Sequence, residues 1–141
     1  MNTTTLLAKP GPATKPKGAT ATAAFVVGGV LIIWLSWIHF HLWEDGYRHI
    51  ATIGPLFLLQ SIAGLLIGLL VVALRRVWTA IVGIGFALAT MAGFLISVEH
   101  GLFGFTDSWA APFAGLAFTV EIVTVVVLAA AAIVCVISTA P

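Results

Sequence analysis

The sequence predicts an all-α fold: an integral membrane four-helix bundle with both termini in the cytoplasm. Of its 141 residues, 61% are hydrophobic and 8% are charged, whereas about 25% of residues are charged in an average soluble domain. The few charged residues are confined to short segments that separate four long apolar stretches. Because lipid offers open backbone groups no hydrogen-bond partner, and no strand-like alternation supports a barrel, each stretch is predicted to be a helix.

The apolar stretches are long enough to span a bilayer. Residues 18–43, 50–74 and 77–98 contain no Asp, Glu, Lys or Arg, and each exceeds the roughly 20 residues that cross about 30 Å of hydrocarbon. The fourth stretch, residues 109–137, is equally apolar but contains Glu121. We therefore predict helices at about residues 21–43, 53–74, 77–98 and 109–137, within a transmembrane domain over residues 21–138.

The first twenty residues are predicted to form a flexible cytoplasmic arm. They are rich in Thr, Pro, Lys and Ala, so they hold too little apolar surface to fold alone. The apolar run that follows ends in Ile38-His39-Phe40-His41 rather than in a small-residue cleavage site. We interpret this run as a retained first helix and not as a secretory signal.

The basic residues predict the orientation in the membrane. Three lysines precede the first helix, and Arg75 and Arg76 lie between the second and third helices, so the positive-inside rule places both segments in the cytoplasm. The other two connections then face outward, and they carry Glu44, Asp45, Arg48, His49, Glu99, His100 and Asp107. The chain is predicted to be a multi-pass protein of a bacterial cytoplasmic membrane, with most of its titratable groups at the outer end.

Small residues predict which helix faces pack together, because helices in lipid associate where their backbones approach closely. In the second helix, Gly64 and Gly68 are preceded on the same face by Gln60. The third helix shows a stripe with four-residue spacing: Gly85, Ala89, Gly93 and Ser97. His100 is predicted to lie on the same face. The fourth helix shows a third stripe: Ala114, Ala117, Glu121, Thr124, Leu128 and Ala131. Each of these helices is expected to turn a polar residue into the bundle.

Glu121 and Gln60 form a predicted intramembrane site for a proton or a hydrogen bond. Glu121 lies about 18 Å along its helix from Trp109, well inside the hydrocarbon. An ionised carboxylate there costs several kcal/mol, so it should be protonated, paired or hydrated. Glu121 could carry a proton or bind a ligand. Alternatively, as a neutral acid, it could donate to Gln60, His39 or a backbone carbonyl and fix the helix register.

The histidines predict a second candidate site, near the outer face. His39, His41, Glu99 and His100 could supply ligands for copper, zinc or iron. Haem b between His39 and His100 is an alternative, because these are the inward pair on two different helices. His39 is expected inward because it shares a face with Ser36, and His41 is expected to meet headgroups or a partner. Each histidine could equally be an interfacial residue bonded to a carboxylate, with no cofactor bound.

The outer loops are predicted to form a clasp. Arg48 could form an ion pair with an acid on either loop and so join two helical hairpins; the clasp residues are Glu44, Asp45, Arg48, His49 and Asp107, with Glu99 as a further acid. Alternatively, Arg48 with Tyr47 and His49 could hold a quinone head group or an anionic lipid.

A resemblance is carried by the run GYRHIATIGPLFLLQ over residues 46–60, preceded by HFHLW over residues 39–43. These segments resemble a signature of an uncharacterised family of small four-span membrane proteins from high-GC Gram-positive (actinobacterial) species. The resemblance covers the first two helices, and it extends to the others in hydropathy only. It implies an architecture and no reaction.

The sequence favours a non-catalytic accessory or structural subunit that packs against larger subunits of a membrane complex, such as a respiratory complex. The chain has almost no extramembrane domain, and bulky Trp and Phe side chains lie where a neighbour could cover them. One alternative is a protein that binds haem b or copper near the outer face. Another is a quinone- or proton-handling protein that uses Glu121. No catalytic residue, no required cofactor and no nucleic-acid partner is predicted.

Overall fold

The computed structural model describes residues 18–140. Its helices are α1 (Ala19–Asp45), α2 (Ile53–Leu74), α3 (Val77–His100) and α4 (Ala114–Thr139), and a short 3-10 turn (Tyr47–His49) follows α1. All four helices are long and apolar enough to cross a membrane. The chain is therefore a four-span membrane protein. Most of the predicted arm lies outside the described residues, and α1 begins at Ala19.

The four helices form a ring. α1 packs against α2 on one side and α4 on the other, and α3 lies between α4 and α2. The α1–α2 contact is the most extensive, whereas α2 and α3 pack much less closely even though only Arg75 and Arg76 link them. α2 and α4 lie diagonally opposite each other. We call the end with the two arginines the arginine end and the other end, which carries the longer connections, the loop end.

Glycines bring the backbones of α1 and α2 into contact. A Cβ atom added to Gly29 or to Gly68 would lie 2.8 Å from the carbonyl oxygen of the other residue. One turn closer to the loop end, Gly64 lies against Ser36, whose hydroxyl donates a hydrogen bond to the Ser61 carbonyl. The G-x-x-x-G pair of the second helix is thus at a helix interface, as predicted, and its partner on α1 is Gly29.

An apolar core fills the arginine half of the bundle. It consists of Phe25, Ile32, Val71, Ala80, Leu128, Ala131 and Cys135. Leu128 of α4 fits against Gly28 of α1 and Gly83 of α3. The predicted α4 stripe is buried along Ala114, Glu121, Thr124, Leu128 and Ala131, so this face was predicted correctly.

α3 buries the predicted face only near the loop end. A Cβ atom at Gly85 or Gly93 would meet nothing within 4 Å, and Ala89 is exposed. The buried residues are Thr79, Ala80, Gly83, Ala87 and Ser97. A four-residue spacing advances by about 40° per step on a helix of 3.6 residues per turn. From Gly85 to Ser97 the stripe therefore turns by about 120°, so Gly85 is exposed whereas Ser97 is buried.

The ends of the helices at the loop end are set by local backbone geometry. Gly54, near the start of α2, touches the 3-10 turn so closely that an added Cβ atom would lie 2.7 Å from the Arg48 carbonyl oxygen. α4 begins at Ala114 rather than near Trp109. Phe113 has a left-handed φ of 63°, and Pro112 disfavours helical geometry in the residue before it. Residues 101–113 therefore form an irregular connection over this end of the bundle.

Candidate functional site

A cavity of about 370 Å³ occupies the loop half of the bundle. All four helices contribute to its walls, and the 3-10 turn and the connection over residues 101–113 form its roof. The lining is mostly apolar and aromatic. Its polar members are His39, Tyr47, Gln60, Thr90, Ser97, Asp107 and Glu121. Glu121 lies seven residues into α4, so the cavity reaches about 10 Å below the start of that helix.

Glu121 has no polar partner. Its residue is 2% exposed and it lines the cavity, yet within residues 18–140 its carboxyl group forms no hydrogen bond and no ion pair. The predicted bonds to Gln60, His39 or a backbone carbonyl are therefore not formed. Gln60 lies on α2, diagonally across the ring from α4, which explains why the two predicted partners share a cavity without touching.

Gln60 instead joins α2 to α3. Its side-chain amide donates a hydrogen bond to the Thr90 hydroxyl, and that hydroxyl donates to the Phe86 carbonyl at 2.9 Å. This pair ties the two helices together where their packing is sparse. Thr90 was missed in the sequence analysis, although it is the only hydroxyl residue in the central part of the third apolar stretch.

His39 faces the interior, as predicted. It is 7% exposed, its Nδ1 lies 2.8 Å from the Leu35 carbonyl oxygen, and its ring packs against Phe57 at a centroid distance of 5.3 Å. Because a carbonyl oxygen only accepts, Nδ1 carries the proton in this bond. With the proton on Nδ1, the neutral form of the ring has a lone pair on Nε2, which is a hydrogen-bond acceptor.

Tyr47 and Asp107 close the roof of the cavity. The Tyr47 hydroxyl donates to Asp107 Oδ1 at 3.2 Å, and its ring stacks on Phe57 at 4.4 Å. The Asp107 backbone N–H donates to Ser97 Oγ at 3.1 Å, and the Ser97 hydroxyl donates to the Phe105 carbonyl at 3.2 Å. Burial, followed by the charge and hydrogen bond of Asp107, raises the pKa of Tyr47 to about 12.

The link between the two loops thus differs from the predicted clasp. The Nε of Arg48 donates to His49 Nε2 at 3.2 Å. Among the described residues no ion pair joins Arg48 to the predicted acids Glu44, Asp45, Glu99 and Asp107. An arginine at an exposed position gains little from an ion pair in water, whereas the Tyr47–Asp107 bond is part of a packed aromatic cluster. Of the clasp residues, Asp107 alone joins the loops.

The remaining histidines lie outside the cavity lining. His41 Nε2 is 3.2 Å from Asp45 Oδ2, and its ring stacks on Trp37 at 5.2 Å. The side chain of His100 is 77% exposed, next to Glu99 at 3.8 Å. The expectation that His100 points inward was wrong: it is the last residue of α3, and its side chain is exposed even though Ser97, one turn earlier, is buried. His39 and His100 therefore do not face a common space that could hold haem.

A metal centre built from the predicted ligands is not assembled either. In the part of the chain that the structure describes, no three His, Cys, Asp or Glu side chains come close enough together to hold a metal ion. Of the four predicted ligands, Glu99 and His100 lie next to each other, His41 lies beside Asp45, and His39 is buried apart from both.

Comparisons with protein-family models, curated proteins and solved structures find no match to this chain. The resemblance of residues 39–60 to a four-span family stays a prediction. The cavity, with the unpaired Glu121 in its wall, is the feature from which a function can be inferred.

Proposed function

We propose that this four-span protein binds a lipophilic small molecule in the cavity at its loop end. The observation that carries the proposal is the burial of Glu121 beside that cavity without any polar partner. An unpaired carboxyl group in a membrane interior costs several kcal/mol. A bundle that served only to pack would fill the space with side chains, because protein interiors are close-packed.

The size and lining of the cavity support this proposal. Small-molecule sites typically measure about 300–1,000 Å³ and combine apolar walls with a few converging polar groups. The cavity has the same volume class and the same kind of lining. Beyond it, the apolar core around Phe25, Val71 and Leu128 fills the arginine half. We therefore favour binding over passage of a solute through the bundle.

A ligand would enter from the bilayer. The lining includes Leu56 and Leu59, which are 39% and 60% exposed on the outer surface of α2, and the exposed Ala89 of α3. The cavity wall thus continues to the lipid-facing surface between α2 and α3, the least tightly packed pair of neighbours in the ring. With the loop end outward, as the arginines predict, this opening lies in the outer leaflet of the membrane.

This proposal keeps one sequence hypothesis, that of a quinone- or proton-handling protein that uses Glu121, and broadens its ligand. The accessory-subunit hypothesis depends on exposed aromatic side chains such as Trp34 and Trp37, and lipid covers these equally well. The haem hypothesis requires His39 and His100 at one site, which the fold separates. The cavity is a feature that neither lipid contact nor subunit packing accounts for.

Photoaffinity labelling tests the proposal. The probe is a long-chain alcohol that carries a diazirine in its tail, added to the protein in nanodiscs of zwitterionic phosphatidylcholine. We expect labelling of cavity-lining residues that saturates and is competed by the same alcohol without the diazirine. Lipid-facing residues should be labelled in proportion to probe concentration, since they sample bulk lipid.

Two glycine variants on α3 provide a matched pair. A Cβ atom at Gly93 or at Gly85 meets nothing within 4 Å, but only Gly93 lines the cavity. Gly93→Leu should fill the cavity and reduce saturable labelling at least about tenfold, while Gly85→Leu should leave it unchanged. Equal saturable labelling in both variants would overturn the proposal. Circular dichroism on each variant verifies that the helices are retained.

A further inference from the structure

We infer that the ligand carries a protonated amine as its polar head, held by Glu121, and a lipophilic tail that extends between α2 and α3. This inference rests on the proposed function and specifies the chemical class of ligand for the same site. Three observations support it: the hydrogen-bonding state of the polar lining groups, the signs of the lining charges, and the aromatic character of the walls.

Most polar groups of the cavity are already bonded within the protein. The donors of Tyr47, Thr90 and Ser97 are each directed to a protein oxygen, and Gln60 donates to Thr90. Three groups keep free capacity: the Glu121 carboxyl, the Nε2 lone pair of His39, and the Gln60 amide with its carbonyl oxygen and second N–H. A carboxylate and an imidazole lone pair both accept hydrogen bonds. The free acceptors therefore outnumber the free donors, which favours a ligand head that donates hydrogen bonds.

The charges of the lining favour a cation. Asp107 and Glu121 contribute two carboxyl groups, and neither Lys nor Arg lines the cavity. Asp107 already accepts from Tyr47 and from the Ser108 backbone N–H, so Glu121 is the carboxyl group without a partner. An ammonium ion would neutralise that buried carboxylate. An anionic head would meet no opposite charge, and the oxidised form of a quinone, which only accepts, would leave the Glu121 carboxylate without a partner.

The aromatic walls fit the same ligand. Six phenylalanines line the cavity: Phe57, Phe86, Phe94, Phe105, Phe113 and Phe118. A cation near the face of an aromatic ring is attracted by the negative potential of that face, more strongly where water is excluded. The apolar tail of the ligand would lie beside Leu56 and Leu59, at the opening toward lipid. A lipophilic amine thus matches the head region and the tail region at once.

Probes that differ only in their head group test the inference. We compare the diazirine alcohol with a diazirine amine and a diazirine carboxylate of the same tail, again in zwitterionic nanodiscs and with labelling normalised to the lipid-facing residues. Charge-assisted hydrogen bonds are roughly twice as strong as neutral ones. We therefore expect the amine to half-saturate the cavity at a concentration about tenfold lower than the alcohol, and the carboxylate at a higher one.

Glu121→Gln keeps the size of the side chain and one acceptor oxygen but removes its charge. The preference for the amine over the alcohol should disappear in this variant, while labelling by the alcohol is kept. Glu99→Gln is the control, because Glu99 is an exposed acid outside the lining, and it should keep the preference. Equal half-saturation by amine and alcohol in the unaltered protein would overturn the inference, and this comparison needs no variant.

The two proposals fail in different ways. If the alcohol and the amine both label the cavity saturably without preference, the binding function stands and the amine head is refuted. If the amine preference persists in Glu121→Gln, the head is held elsewhere, which also refutes the inference. If no probe labels the cavity saturably, the proposed function itself is refuted.

Discussion

The substitution Gly68→Ala tests whether backbone contact holds α1 and α2 together. The added methyl group would lie 2.8 Å from the Gly29 carbonyl oxygen and 3.1 Å from the Ile33 backbone nitrogen. Carbon–oxygen contacts in packed helices are usually about 3.3 Å or longer. The two backbones must therefore separate by about 0.5 Å at the crossing, and that is enough to lose about a quarter of the dispersion energy of the affected contacts.

The expected cost follows from this geometry. Extra carbon atoms in a well-packed interface typically cost about 1–3 kcal/mol. Alanine also gains up to about 1 kcal/mol over glycine as a helix former, so Gly68→Ala alone mixes two opposite effects. Gly85→Ala isolates the second effect, because its Cβ atom meets nothing within 4 Å. The free energy of unfolding of Gly68→Ala should therefore lie about 1–3 kcal/mol below that of Gly85→Ala.

Unfolding in mixed micelles with a rising fraction of dodecyl sulfate, followed by circular dichroism, measures this difference. In the double variant Gly29→Ala/Gly68→Ala, the second methyl group enters a crossing that is already wider. The double variant should therefore lose less stability than the sum of the losses in the two single variants, since the effects of residues in contact are not additive. Equal stability of Gly68→Ala and Gly85→Ala would refute the close crossing of α1 and α2.

Three further predictions concern the loop end and the orientation. Tyr47 is the only tyrosine, so tyrosinate absorbance reports its titration alone, and the midpoint should lie near pH 12. Asp107→Asn should lower this midpoint only part of the way to the ordinary pKa of tyrosine, because burial is the largest cause of the shift. Since the raised pKa favours the neutral phenol in the folded state, its contribution to stability is complete below about pH 10 and is lost as the pH rises toward the pKa of the folded protein. Thr90→Val removes the hydroxyl that accepts from the Gln60 amide and should lower the free energy of unfolding by about 1 kcal/mol in the same detergent assay. An unchanged free energy of unfolding would show that this bond does not join α2 and α3. In single-cysteine variants in intact cells, an impermeant maleimide should label Glu44→Cys but not Ala140→Cys, and the reverse pattern would invert the predicted orientation.

The helices could be predicted because the bilayer imposes their length. Any apolar stretch without charges that spans the hydrocarbon must satisfy its own backbone, and α2 runs over the same residues, 53–74, that the sequence predicted. The buried face of α4 was also readable, because its spacing mixes three and four residues and so stays on one side of the helix. The face of α3 was not, because a strict four-residue spacing drifts around the helix.

The members of the site could be predicted better than their partners. Glu121, Gln60 and His39 were expected inside, and each lines the cavity. Sequence alone does not show which helices are neighbours, so the diagonal arrangement of α2 and α4 could not be foreseen. That arrangement leaves Glu121 unpaired and gives Gln60 to Thr90. The Tyr47–Asp107 bond depends likewise on how two loops, sixty residues apart, fold over the same end of the bundle.

The two-residue link between α2 and α3 has a mechanical consequence. It pins these helices together at the arginine end, and the amide–hydroxyl pair at Gln60 and Thr90 is a side-chain tie farther along. A hinge movement at this link would separate the two helices in proportion to the distance from it, and so most at the loop end. The proposed entrance for a ligand lies in the loop half, away from this link, whereas the filled core around Leu128 lies in the arginine half beside it.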